Sequence, residues 1–336
     1  MKKFFLFFVL VGCFTSCELP EIIEPKVLNG EALGTYYSMT YFDEEHLDIS
    51  MAIDSTFNAI NASMSTYIKD SDISKMNRGK RIQADHMFVE NFVASKKIHD
   101  LTNGYFDPTV GILVNYYGFG PQKMNLEINQ RNTDSLMQYV GFDKVNLSED
   151  NYLIKAHDSI FLDFNAIAKG YAVDRLGHLL ESYGILNYII DIGGEIVAKG
   201  KNLQREGPWR VGIDRPSEGN DERAYDYVLT LDDKAIATSG NYRKYNEDES
   251  GNKFVHTINP KTGKSEKSDV LSASVLASDC MTADAYATAF MSMGFDSSKK
   301  ILDEIEVDAV LIYVDDNNES QTFVSENLRD FIEKIE

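Results

Sequence analysis

The spacing of apolar residues along the chain switches repeatedly between an extended and a helical period. "VLNGEALGTYYSMTYF" is rich in aromatic and β-branched residues around Gly34 and predicts strands joined at a turn. Ile49, Ile53, Phe57, Ile60 and Met64 then step by three and four, the signature of an amphipathic helix. A second helix is predicted over about 85–101, stopped by Asn103-Gly104, and a short one over 134–140. "KVNL", "NYLIK" and "SIFLDF" fit short strands, and a helix is predicted over 167–183 with Gly184 as its cap. "NYIIDIGGEIVAKGK", "WRVGIDRP", "YDYVLTLDDKAIATS", "KFVHTINP" and "DVLSASVLAS" form a strand-rich block with turns at Gly-Gly, Asp-Arg-Pro and Pro-Lys-Thr-Gly. "CMTADAYATAF" reads as a helix, "DAVLIYVDD" as a late strand, and the chain is expected to end in a short polar helix. Helices mixed with antiparallel-looking strands, without a regular βαβ rhythm, predict an α+β fold. There are no repeats and no low-complexity tract, and no shift in composition marks a seam near residue 150.

The chain has 336 residues, enough for one large domain or two modest ones, and its 43% hydrophobic content excludes wholesale disorder. A formal net charge of −20 without a basic stripe argues against nucleic-acid binding. An anionic small molecule would need a local cation. "MKKFFLFFVLVGCFTSC" opens with two lysines, an apolar run too short to span a bilayer, then small residues and cysteine. It reads as a bacterial lipoprotein signal. "LVGC" at Cys13 fits the usual box better, but Cys17 leaves a more typical length and runs into the tether "ELPEIIEPK", so Cys17 is favoured. The expected organisation is a signal over 1–17, a tether over 18–27 and one domain over 28–336. Only Cys280 then remains in the folded domain, where core packing is the expected role.

Candidate chemistry lies in short polar stretches, each with a plain structural alternative. Asp284 and Thr288 sit four residues apart on an alanine-rich helix, so both oxygens point to one side. They are either features of a closely packed helix or half of a site for a hard cation such as magnesium. "DIGGEIVAKG" is not a dinucleotide fingerprint, because the glycine spacing is wrong and no helix follows. Gly193-Gly194 is a tight turn or a place where a ligand approaches the backbone. In "NGYFDPTVG", Tyr105 and Phe106 are an apolar wall for a ring or simply core, and Asp107 before Pro108 is a turn residue or a ligand contact. "LDFNAIAKGYAVDRL" enters a helix whose first turn carries Lys169, placed to meet a phosphate, with Asp163 just before it; an Asn165 cap and a solvated lysine explain it equally. His256 in "HTINPKTGKS" is a packed or surface histidine, or a base for a hydroxyl.

Taken in order, "MSTYIKDSDISKMN", "TNGYFDPTVGILVNYYGFGP", "LDFNAIAKGYAVDRL", "YIIDIGGEIVAKGKN", "WRVGIDRP", "AIATSGNYRKY", "HTINPKTGK" and "TADAYATA" resemble the ApbE family of FAD:protein FMN transferases. The resemblance runs from about Gly30 to the C-terminus. It implies a T-fold-like arrangement of helices and largely antiparallel sheets with the active site in a cleft. It also implies that Mg2+ is held by Asp284, Thr288 and an oxygen of Ala166, which can only be its backbone carbonyl. FAD, as substrate, is expected to contact Leu33, Tyr67, Tyr105, Phe106, Asp107, Asp163, Lys169 and Ile258. Leu33 stands where many members carry methionine, a volume-conserving swap. His256 falls on the family's proton acceptor, so the catalytic set is His256, Asp284 and Lys169.

The implied reaction moves FMN from FAD to a threonine hydroxyl and releases AMP, with charge on the phosphates met by the metal and Lys169. Expected acceptors are flavin-carrying subunits of membrane redox complexes, with threonine in a "D-[SGA]-A-T" context. Many members are lipid-anchored outside the cytoplasmic membrane, so an exported, membrane-anchored protein facing the periplasm is expected. An FAD pyrophosphatase on the same scaffold, giving FMN and AMP, is the nearest rival, and a non-catalytic FAD-binding lipoprotein is a second. A surface adhesion module explains the tether but none of the motifs.

Overall fold

In chain order the strands of the computed structural model are β1 (Lys26–Ala32), β2 (Thr35–Tyr41), β3 (Val145–Leu147), β4 (Leu153–Lys155), β5 (Tyr188–Ile192), β6 (Glu195–Lys199), β7 (Trp209–Asp214), β8 (Tyr225–Leu231), β9 (Ala235–Gly240), β10 (Tyr245–Glu247), β11 (Lys253–Val255), β12 (Val270–Ala277), β13 (Asp308–Val314), β14 (Ser320–Val324) and β15 (Ile332–Lys334). The helices are α1 (Ser50–Met64), α2 (Asp72–Asn77), α3 (His86–Leu101), α4 (Gly111–Tyr116), α5 (Gln130–Met137), α6 (Ala168–Ser182), α7 (Cys280–Met293) and α8 (Phe295–Leu302). The structure describes residues 24–216, 224–240, 245–247, 253–265 and 268–335. Cys17 and most of the tether lie outside them.

Eight strands form one sheet in the order β1-β2-β5-β6-β9-β12-β13-β14, and every neighbouring pair is antiparallel. One face of that sheet is covered by helices. Ile53, Phe57 and Ile60 of α1, Leu176 and Leu180 of α6 and the alanines of α7 share a core with Met39, Ile190, Ala237, Val275 and Leu311 of the sheet. The other face packs on a second sheet, β15-β8-β7, through Phe42, Trp209, Leu229, Leu231, Ile236, Leu276 and Val310. Alternation along a strand sends consecutive residues to opposite faces, so a strand between two layers is buried on both faces and carries apolar or small residues. β12 is such a strand, with seven of its eight positions buried. A third cluster, around Leu113, Tyr117 and Ile258, ties α4 to the His256 segment.

Most expected elements form. Ile49, Ile53, Phe57, Ile60 and Met64 are all buried, as the helical stripe predicts. α3 begins at an Asp85 cap whose side chain accepts from the Phe88 N–H. Gly193-Gly194 is the two-residue turn joining β5 to β6, both at positive φ (67° and 105°), where side chains other than glycine are strained. Other expectations fail. "SIFLDF" makes only an isolated bridge, Phe161 to Val110, because Asn77 takes the Leu162 N–H and carbonyl that a ladder would need. The polar C-terminal helix is absent: a 3-10 turn over Glu326–Leu328 leads into β15, which pairs with Leu229, Val228 and Tyr227. Leu328 and Ile332, four apart, look helical in sequence, but both pack on the second core, Ile332 from a strand edge.

Candidate active site

The site is built where α6 and α7 touch. α7 starts at Asp279, whose side chain accepts from the Thr282 N–H at 2.8 Å. Asp174 on α6 accepts the next two free donors, the N–H groups of Cys280 and Met281, each at 2.8 Å. One turn earlier on α6, the Gly170 N–H donates to Asp284 Oδ2 at 3.0 Å. A Cβ at position 170 would stand 2.2 Å from the Cys280 carbonyl oxygen and 2.9 Å from the Asp284 Cβ. Glycine there lets the two backbones meet, and the α7 alanines at 283, 285, 287 and 289 are all buried. Cys280 is fully buried in that contact, as expected of a packing residue.

The buried charges around this contact do not balance. Lys169 Nζ is ion-paired with Glu195 Oε1; a third of the lysine side chain is exposed, whereas Glu195 is buried. Burial opposes the lysine's charge, but Glu195 and Asp284 outweigh it and hold Lys169 above its ordinary pKa. Glu195 is pushed up to about 7 by burial and the Asp284 charge, with Lys169 pulling the other way. Burial likewise pushes Asp284 up against the pull of Lys169 and the Gly170 N–H. Two buried carboxylates thus face one cation. Glu195 Oε2 is buried with no hydrogen-bond partner. Thr288, one turn beyond Asp284, lies 3.5 Å by its hydroxyl from the Ser239 hydroxyl at the end of β9.

These residues fit a hard divalent cation. Because the Gly170 N–H goes to Asp284, it does not close a helical turn on the Ala166 carbonyl, and among the described residues no hydrogen bond to that carbonyl is made. Asp284, Thr288 and the Ala166 carbonyl supply oxygen ligands only, the chemistry magnesium prefers. No cluster of three or more His, Cys, Asp or Glu suited to a metal occurs among the described residues.

The remaining candidates divide between the surface and the interior. Tyr67 is 60% exposed, and its hydroxyl donates to the Phe119 carbonyl at 3.0 Å. The Phe119 ring packs edge-on to His256, centroids 6.5 Å apart, and His256 is exposed. Burial and the charge of Asp163 raise the Tyr67 hydroxyl. Asp163 is pushed up to about 6 by burial, against the Asn165 N–H that its Oδ1 accepts at 2.8 Å. Tyr105 is half-buried under Lys261, whose Nζ is 5.9 Å from the ring centroid. Leu33, at φ 53°, is the turn residue between β1 and β2.

Phe106, Asp107 and Ile258 turn their side chains inward. Asp107 accepts from the Thr109 N–H and hydroxyl through Oδ1 and from the Phe142 N–H through Oδ2, so it is the centre of a turn. Phe106 and Ile258 are 2% and 5% exposed. Sequence reasoning missed Glu195, Asp174 and Phe119. Glu195 had a signal, an acid at an inward position directly after the Gly-Gly turn, and Asp174 lies one turn from Gly170 on the same face.

The ApbE family model matches residues 33–311. An FAD:protein FMN transferase of Haemophilus influenzae is 35% identical over 311 residues, covering 88% of each chain. One from Vibrio cholerae is 33% identical over 327 residues, covering 95% of each. Among solved structures, the flavin transferase ApbE from Vibrio cholerae superposes with a TM-score of 0.83 at 30% identity, over 92% of this chain and 99% of that one.

Proposed function

This chain belongs to the ApbE family, and from that premise we propose that it transfers the FMN moiety of FAD to a threonine hydroxyl of an acceptor protein and releases AMP. The observation that carries the reading is the α6–α7 junction. It sets Lys169 and the freed Ala166 carbonyl, at the start of α6, against Asp284 in the first half of α7, with Thr288 one turn further along, where a pyrophosphate needs its charge met.

Transfer breaks the bond between the FMN phosphorus and the oxygen bridging to AMP, and forms a phosphoester bond to the acceptor hydroxyl oxygen. AMP keeps the bridging oxygen. A threonine hydroxyl is a weak nucleophile until its proton is removed, and His256, exposed beside Phe119, accepts that proton. Lys169 stays protonated because Glu195 and Asp284 hold its charge, so a permanent cation faces the phosphates. When bound by Asp284, Thr288 and the Ala166 carbonyl, Mg2+ supplies Lewis-acid polarisation of the phosphoryl oxygens. Tyr67 and Tyr105 offer ring faces for the flavin, and Asp163 an acceptor for a donor on the ring or ribose. A lipid at Cys17 would hold this site close to membrane-embedded acceptors. Among the described residues no helix is long and apolar enough to cross a membrane.

The test is AMP release from FAD by the purified chain with a threonine-bearing acceptor domain, with and without Mg2+. AMP that appears only when acceptor and Mg2+ are both present supports transfer. AMP formed equally well without acceptor supports hydrolysis instead.

A further inference from the structure

Glu195 enters the site from the sheet rather than from either helix, as the first residue after the Gly193-Gly194 turn. Its side chain is 3% exposed, Lys169 holds Oε1, and Oε2 is buried without a partner. A buried carboxylate oxygen left unsatisfied is costly, so Oε2 needs an explanation. Glu195 is ion-paired with Lys169, and the charge of Asp284 acts on the same ammonium from beyond ion-pair distance. One positive charge cannot neutralise both, and among the described residues no second cation acts on either carboxylate.

We propose that Glu195 is the second carboxylate, and the fourth oxygen donor, of the divalent-cation site: Oε1 orients Lys169, and Oε2 binds the cation or accepts a hydrogen bond from a water bound to it. The proposal rests on the reading that Asp284 and Thr288 hold Mg2+, and it adds a residue from the β5–β6 hairpin to a site otherwise made by α6 and α7. It also explains the hairpin's shape. The tight glycine turn starts β6 with Glu195 facing inward, beneath Lys169.

Mn2+ binding to the full chain, followed by electron paramagnetic resonance without FAD, tests this independently of turnover. Wild type is expected to bind Mn2+, and Asp284→Asn to lose it. Glu195→Gln keeps the size of the side chain and is expected to raise the Mn2+ Kd about tenfold, the lower end for groups supporting a metal site. Glu195→Asp, which keeps the charge, is expected to stay within about threefold of wild type by the same scale. Loss of Lys169 orientation alone is separated by the Lys169→Met background. There Glu195→Gln is still expected to weaken Mn2+ about tenfold. An unchanged Kd in that background would overturn the proposal and leave Glu195 as a holder of Lys169. Mn2+ binding that is lost in Asp284→Asn yet untouched by Glu195→Gln would overturn the proposal while sparing the Asp284 site. Failure of wild type to bind Mn2+ at all would sink both.

Discussion

Replacing Gly170 with alanine tests whether the α6–α7 contact organises the site. In an open helix the change stabilises by up to about 1 kcal/mol, because alanine is the better helix former. Here the added methyl would meet the Cys280 carbonyl oxygen at 2.2 Å and the Asp284 Cβ at 2.9 Å. A backbone carbonyl cannot rotate aside, so the helices must part. Overpacking of this kind costs roughly 1–3 kcal/mol. Parting the helices also breaks the Gly170 N–H bond to Asp284, and bonds to charged groups contribute about 1.5–3 kcal/mol. The expected net loss is about 1.5–5 kcal/mol after the propensity gain is subtracted. Gly177→Ala in the same helix is the control. Its methyl meets the Tyr188 hydroxyl oxygen at 2.8 Å, the tip of a side chain, whereas at 170 it meets backbone. Urea unfolding of both variants should therefore show a larger loss for Gly170→Ala than for Gly177→Ala. AMP release should fall with the first and not the second. Equal stability of the two variants, or full activity in Gly170→Ala, would refute the reasoning.

Four further outcomes are expected. His256→Ala should keep FAD binding and lose roughly 10²–10⁴-fold in transfer rate, the usual worth of a general base, and unchanged transfer would remove that role. Asp163, at about 6 folded against about 3.9 unfolded, holds an extra proton in the folded state between those values, so its contribution to stability declines as pH rises through them. Asp163→Asn should thus gain about 2 kcal/mol on wild type between about pH 4.5 and 8 in urea unfolding, and parallel pH profiles would contradict it. Lys169→Met leaves the Glu195 carboxylate buried and unpaired, so it should be less stable than Lys169→Met/Glu195→Gln; the reverse order would mean that Glu195 is not buried beside it. Cys17→Ser should move the chain from the membrane fraction to the soluble one, and retention in the membrane fraction would dismiss the lipid anchor at that residue.

The elements that position the site were readable where one periodicity had one structural consequence. The apolar stripe from Ile49 to Met64 could bury only as a helix, and all five of its residues are buried. Asp284 and Thr288 were visible because four residues is one turn. What escaped depended on partners distant in sequence. Glu195 is a surface-type residue whose meaning comes from Lys169, and the two meet only when β6 passes beneath α6. Gly170 looked like an ordinary residue of "IAKGYA" until the Cys280 carbonyl stood beside it. The last strand was misread because its apolar residues are spaced for a helix while its place is set by the open edge of β8. Asp107 could not be assigned from its turn alone, because the Phe142 N–H that takes its second oxygen lies 35 residues away.

The most direct test of the account is the intact mass of the acceptor after incubation with this chain, FAD and Mg2+, with AMP measured in the same sample. The account predicts an acceptor heavier by one FMN on its threonine, with one AMP for each modified acceptor. AMP accompanied by free FMN and an unmodified acceptor would contradict it, and so would bound FAD that stays intact.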